Sequence, residues 1–389
     1  MPKPVLRPNQ RQNTGFSRLK AKGPSLANPL DLPQPFQPPN LPSLKEASSP
    51  AEETGLEKIC LFPEKLAALT QGGLDPLYPV SVELSLTSRC QLNCLWCSER
   101  SLRERCPDKL SPSILEKLFQ DLRGGGTKGV TIEGGGEPTL APFFPQAAQI
   151  AVSLGLQIGL ITNGLDLFSE NTPPSFYRLF QWIRVSLDAA TPSEYERLKG
   201  YAGFEKVLAN LKILADLKTP TVGVGYVLTN QNDNPQNLFA LAQRLKDLPV
   251  AYLQLRPVVD HPELTSSQNV DFLKVLQSRD FAINALAMTD NQGAGNDGLP
   301  CLAHSLATVI TADGAMWLCG RLCQDPWPGP LGYLNDQSFK DIWSGAQRAE
   351  QAALASRGDF CQGHCPPCRM TKYNRLLSRL ARIRTRDFI

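Results

Sequence analysis

From about residue 80 onward, short apolar runs rich in β-branched residues alternate with longer stretches whose apolar positions recur every three or four residues. The short runs predict strands at 82–86, 129–133, 157–162, 183–187, 221–228 and 252–256. The longer ones predict amphipathic helices at 113–122, 144–154, 204–217 and 237–248. Strand and helix in repeated alternation imply an α/β protein with a parallel sheet covered by helices, curled as a partial (β/α)6 TIM-like barrel. Ligands in such folds sit at the carboxyl ends of the strands. Further along, 308–318 reads as two β-like runs about an Asp313-Gly314 turn, and a short helix is expected near 340–343.

Residues 1–75 break this rhythm. Eleven prolines fall in the first fifty positions, so the segment is expected to be disordered or extended. Its first thirty residues are basic and lack Asp and Glu, a mild likeness to an organelle transit peptide against the plainer reading of a solvated tail. The formal net charge of +3 gives no global field for a nucleic acid or membrane partner. No apolar signal segment and no run of eighteen apolar residues is present, which points to a cytoplasmic chain. The eleven cysteines then read as metal ligands rather than disulfides.

Three of them form a CxxxCxxC run, Cys90, Cys94 and Cys97, directly after the first strand. Three thiolates on one loop can hold three irons of a [4Fe–4S] cube and leave the fourth open to bind and reduce something. A zinc knuckle, or a disulfide with a spare thiol, is the alternative; His261, His304 and His364 are the chain's histidines, and Cys106 lies nine residues beyond Cys97. Other unusual motifs close the next strands. Gly134-Gly135-Gly136-Glu137-Pro138-Thr139 offers close backbone approach and a carboxylate for an ammonium. Thr162-Asn163-Gly164 is a polar turn, and Ser186-Leu187-Asp188 offers a hydroxyl and a carboxylate to a ribose.

With these motifs in this order, residues 80–260 resemble the radical S-adenosylmethionine (radical SAM) superfamily. The resemblance implies that Cys90, Cys94 and Cys97 ligate a [4Fe–4S] cluster, with Trp96 before the third cysteine. It implies that Gly135, Gly136, Glu137 and Pro138 cradle the methionine end of SAM, with Glu137 near its amino group. Asn163 and Arg256 belong to the same cofactor site, Ser186 and Asp188 look like the ribose contacts, and the stretch from Gly223 through Gly225 to Tyr226 resembles the adenine-side motif. The pattern after Gly225 departs from the family's acidic position. The family's chemistry is one-electron cleavage of SAM to a 5′-deoxyadenosyl radical, which takes a hydrogen atom from the substrate; the cofactor does the hard chemistry and the protein positions it.

Six more cysteines, Cys301, Cys319, Cys323, Cys361, Cys365 and Cys368, lie in the last ninety residues. Twelve residues separate Cys301 from Gly314 and four more precede Cys319, which resembles the opening of the SPASM or twitch auxiliary-cluster domain. The further CxxCxxxxxCxxxC pattern of a full SPASM arrangement is absent, so one auxiliary [4Fe–4S] cluster is expected. Its ligands would be Cys301 and Cys319 with two of Cys361, Cys365 and Cys368; zinc on the same thiols is the alternative. Cys323 and Cys106 are left as candidate hydrogen-atom donors to a substrate radical. The domains then fall at 1–75, 76–290 and 291–389.

Members with this resemblance modify peptides or act on small molecules such as sugars, alcohols or a cofactor precursor. The expected substrate is a peptide or protein being matured, with an electron donor such as flavodoxin or ferredoxin. No strand-rich leader-binding module is expected ahead of the barrel. In 375–384, leucines and arginines segregate to helical faces, so an acidic peptide could dock there, or the helix packs on its own domain. A non-catalytic iron–sulfur electron carrier would explain the cysteines but not the glycine loop or the Ser186/Asp188 pair. The GxxxxGK[ST] and His-Glu zinc protease motifs are absent, which leaves hydrolytic and nucleotide-driven readings without residues.

Overall fold

The computed structural model describes residues 56–71, 75–285, 298–323, 327–358, 360, 368 and 370–383. One sheet organises them. Strands β1 (Ser81–Leu84), β2 (Gly129–Ile132), β3 (Gln157–Thr162), β4 (Trp182–Ser186), β5 (Thr221–Leu228), β6 (Tyr252–Pro257) and β7 (Ala282–Ala285) run parallel in chain order. The hairpin β8 (Ala307–Ile310) and β9 (Ala315–Trp317) continues the sheet beyond β1, and β10 (Gly332–Tyr333) pairs antiparallel with β9. The result is the expected partial barrel, with two additions. The strand β7 is not among the six predicted, and the hairpin docks on β1 through a parallel β1–β8 register, Val82 opposite Thr308.

The helices expected from the apolar periodicity are present: α3 (Pro112–Gly124), α4 (Phe144–Ser153), α6 (Phe204–Ala215) and α7 (Pro235–Lys246) follow α1 (Pro63–Gln71) and α2 (Arg100–Arg105), with α5 (Pro192–Lys199) between α4 and α6. Their starts are written locally. Ser111, Thr191 and Asn234 cap α3, α5 and α7 by accepting from Ile114 N, Glu194 N and Asn237 N, and a proline follows each cap where no N–H is needed. Val82, Leu84, Val130, Ile132, Ile183 and Val185 are buried in the core that these helices cover, and alternate strand residues face the barrel interior. Helices α8 (Phe339–Trp343), α9 (Ala346–Ala355) and α10 (Thr371–Ala381) complete the described chain.

One expectation needs correction. Residues 57–71, expected to belong to the unstructured segment, form a 3-10 turn and α1, and Ile59 and Leu69 pack with Leu377 of α10 in a small separate core. The prolines that break structure thin out after Pro50, and Lys65 is buried in an ion pair with Asp75. The rest of the proline-rich stretch lies outside the described residues. The apolar face of α10 is therefore covered by Ile59, Leu69, Ala303 and Leu306, with Arg375, Arg379 and Arg382 exposed. Among the described residues no helix is long and apolar enough to cross a membrane.

Candidate active site

The loop after β1 carries Cys90, Cys94 and Cys97 and is held from three sides. Gly136 N donates to Thr87 O and Glu137 N to Arg89 O, both at 2.8 Å, so the loop after β2 runs alongside it. Asn93 N donates to Lys199 O and Leu95 N to Leu198 O, both at 2.9 Å, pinning it to the last turn of α5. From α2, Arg103 donates to Ser88 O at 3.1 Å and Cys90 O at 3.3 Å, and its Nη1 lies 4.0 Å from Cys97 Sγ. All three thiols are half-buried. Burial pushes the Cys90 and Cys94 thiols up, Arg103 draws Cys90 back down, Lys199 does the same for Cys94, and both feel the neighbouring thiols. Ligation must therefore expel protons from this loop.

The glycine motif does what its sequence suggests at the backbone. Gly134 and Gly135 have positive φ of 74° and 53°. A Cβ on Gly136 would stand 2.0 Å from Arg89 O, which only glycine permits. Glu137, expected to face an ammonium, is buried and accepts four hydrogen bonds from the protein. Its Oε1 accepts from Thr139 N (3.3 Å), Thr139 Oγ1 (2.9 Å) and Thr162 Oγ1 (2.6 Å), and its Oε2 from Asn163 N (2.7 Å). Burial raises its carboxyl against the pull of these donors. The Asn163 amide continues the chain to Gln91 Oε1 at 3.0 Å, and Gln91 to Asp166 at 3.0 Å. Glu137 thus ties the loops after β2 and β3 to the cysteine loop, leaving the glycine backbone as the part of the motif accessible to a ligand.

Asp188 likewise has protein partners. It sits in the left-handed region (φ 54°), 3% exposed, with Oδ1 accepting from Val227 N at 2.6 Å, its carbonyl accepting from Asn232 at 2.9 Å, and Oδ2 paired with Lys199. Of the predicted ribose pair, Ser186 keeps a half-exposed side chain. Lys199, which sequence reasoning does not single out, also donates to Ser186 O at 3.2 Å and lies 5.9 Å from the Trp96 ring. Burial works against its charge, but Asp188 and Cys94 outweigh it and hold the ammonium above its ordinary pKa. A lysine ahead of a C-capping glycine reads as a surface residue complementing the helix dipole, so no local signal marks it as buried. Trp96 packs with Leu198 and Leu264, beside Val227 and Val258.

A Cβ on Gly223 would meet the Tyr252 ring at 2.1 Å, so this glycine makes room for an aromatic side chain. A Cβ on Gly225, two residues nearer the strand end, would lie 3.4 Å from Arg184 Cδ, and Arg184 donates to Gln254 at 2.9 Å. Arg256 is in register with Val227 at that same end. Pro138 is buried at the start of the 3-10 turn after Glu137.

Among the C-terminal cysteines, Cys301 and Cys319 are half-buried at the two ends of the β8–β9 segment. Cys323 is buried and donates to Gly320 O at 3.0 Å, while its own carbonyl accepts from Arg105 at 2.9 Å. Cys106 is buried beside Asp313, and burial pushes its thiol up to about 11. Cys361 and Cys365 lie outside the described residues; Cys368 is half-buried.

The donor set fits an iron–sulfur cluster: three half-buried thiols stand on one short loop, and Arg103 Nη1, 4.0 Å from Cys97 Sγ, places a positive charge beside them.

Residues 84–242 match the family model described as the radical SAM superfamily, and residues 301–369 the model described as an iron–sulfur cluster-binding domain, SPASM. The mycofactocin maturase MftC of Mycobacterium tuberculosis is 25% identical over 316 residues, covering 75% of this chain and 79% of that protein. The sporulation killing factor maturation protein SkfB of Bacillus subtilis is 27% identical over 288 residues, covering 71% and 67%. In fold, the chain is similar to Streptococcus suis SuiB bound to its precursor peptide SuiA, at a TM-score of 0.59 and 14% identity over 85% of this chain and 80% of that one.

Proposed function

We propose that this chain, a radical SAM superfamily enzyme with a C-terminal SPASM iron–sulfur domain, matures a peptide or protein by abstracting a hydrogen atom from one of its residues. The observation that carries the peptide reading is likeness to a protein named as a maturase, MftC, and to one named as a maturation protein, SkfB, over 75% and 71% of this chain. When bound, the open cluster supplies the one-electron cleavage of SAM to a 5′-deoxyadenosyl radical.

The protein's part is positional. Cys90, Cys94 and Cys97 hold the radical cluster, and the accessible backbone of Gly135 and Gly136 receives the methionine end of SAM. Ser186 offers its hydroxyl to the ribose, with Gly225 and Arg256 at the adenine side. Glu137 and the Asp188–Lys199 pair fix these loops against one another, so that the site is preorganised before the cofactor arrives. Cys301 and Cys319, with two of Cys361, Cys365 and Cys368, hold one auxiliary cluster. The core spans 76–290 and the auxiliary domain 291–389, and the enzyme works in the cytoplasm with a flavodoxin- or ferredoxin-type donor.

The test is anaerobic reconstitution followed by iron analysis and assay for 5′-deoxyadenosine with SAM and dithionite. About eight irons per chain are expected for two [4Fe–4S] clusters. Short peptides encoded beside the gene should stimulate cleavage and change mass. Stimulation by a sugar or alcohol and by no peptide would replace the peptide reading with a small-molecule one. Iron without any cleavage would leave a carrier.

A further inference from the structure

Two cysteine sulfurs of the C-terminal domain accept hydrogen bonds from one helix start. Met370 N, the residue ahead of α10, lies 3.4 Å from Cys368 Sγ, and Asn374, one turn into α10, places Nδ2 3.6 Å from Cys301 Sγ. Asn374 is 1% exposed, and its orientation is fixed by its other end: Oδ1 accepts from Leu302 N at 2.9 Å and Ala303 N at 2.8 Å. An amide turned the other way would set its NH2 against two backbone donors, so the Nδ2 must face the sulfur. Cys301 and Cys368 are 67 positions apart in sequence, yet the first turn of α10 serves both.

We propose that this turn is the hydrogen-bonding cradle of the auxiliary cluster, and that Asn374 is a positioning residue that sets the reduction potential of that cluster through Cys301. The inference rests on Cys301 being a cluster ligand, as the proposed function has it, and takes Cys368 as one of the two further thiols. The physical reason is general. A donor aimed at a cysteine sulfur stabilises the more negative, reduced cluster, so each N–H···S bond raises the potential. Asn374 performs two tasks at once: its Oδ1 shapes the backbone that follows Cys301, and its Nδ2 tunes the sulfur. Helix α10 is held in place by α1, through Leu377 packed with Ile59 and Leu69, so the donors are carried on a braced element rather than a loop tip.

The experiment uses the full chain with Cys90, Cys94 and Cys97 replaced by alanine, so that only the auxiliary cluster remains. In that background Asn374→Asp keeps an acceptor for Leu302 and Ala303 but removes the N–H donor, and Asn374→Ala removes both. Pulsed EPR of the dithionite-reduced cluster in H2O and D2O is expected to show an exchangeable proton coupled to the cluster that both variants lack. Redox titration should show a lower midpoint in both. Retained iron with an unchanged proton coupling and midpoint would overturn the role of Asn374 while leaving the cluster in place. No iron–sulfur signal in the parent background would overturn the ligand assignment, and the inference with it. The proton coupling separates loss of the donor from the added charge of the aspartate.

Discussion

Lys199 and Asp188 form an ion pair with side chains 2% and 4% exposed, on the element that pins the Cys94 loop through Asn93 N and Leu95 N. Removing one partner leaves the other charge buried and unpaired, which costs about 3–5 kcal/mol. Lys199→Met is therefore expected to lower the melting temperature strongly and to reduce iron bound at the radical cluster, whereas Lys199→Arg, which keeps the charge, should recover part of both. A Lys199→Met protein with parental stability and iron content would show the pair to be dispensable.

The cysteine loop makes the simplest prediction. Replacing Cys90, Cys94 and Cys97 together by alanine should remove about four of eight irons and all 5′-deoxyadenosine production, with the auxiliary cluster's absorbance retained. If the full iron complement persists, these thiols are not the ligands.

Two glycines separate packing from permissiveness. A Cβ at position 136 would lie 2.0 Å from a backbone carbonyl of the cysteine loop, while one at position 124 meets nothing within 4 Å. Gly136→Ala must displace the backbone proposed to receive SAM, and SAM cleavage is expected to fall on the order of a hundredfold. Gly124→Ala, at the end of α3, should leave cleavage unchanged and be neutral or slightly stabilising. Rates measured side by side on the two variants check this.

Stability on the acid side should depend on His304. Burial, with Arg348 and Lys65 nearby, lowers its pKa from 6.5 to about 3, so it stays neutral when folded and takes up a proton only on unfolding as the pH falls below 6.5. Its contribution is complete above that value and is lost towards about 3, amounting to about 2 kcal/mol between pH 7 and pH 5. Urea midpoints for His304→Gln should change less over that interval than those of the parent. Parallel curves would remove the histidine from the account.

Cys323 and Cys106 remain the proposed hydrogen-atom donors. Burial keeps both as thiols, the protonated form a donor needs. Serine in place of the acting one should leave 5′-deoxyadenosine formation intact and change the product's mass or deuterium content. Unchanged product from both variants would end the idea.

Much of the site is legible in the sequence alone. The CxxxCxxC spacing, the glycine run and the Ser-Leu-Asp strand end are local features, and each falls at the end of a strand. The helices are legible for the same reason: their periodicity and caps lie within a few residues of one another. β7 escapes such a reading because its run Ala-Ile-Asn-Ala holds a single β-branched residue, and α1 because the proline density upstream dominates it.

The sequence by itself determined which residue types stand at each strand end and therefore the chemistry available: thiolates, open backbone, a hydroxyl. Only the tertiary structure decided how the charged ones are used. A carboxylate at a strand end is free of partners in any one-dimensional reading, and nothing local to Glu137 or Asp188 tells which protein groups each also serves. Folding surrounds Glu137 with Thr139, Thr162 and Asn163, and Asp188 with Val227 N and Lys199, partners up to 39 positions away. The reason is the cost of burial. A buried carboxylate must be satisfied by donors or a counter-charge, and which groups can do so depends on strands and loops that meet only in the assembled barrel.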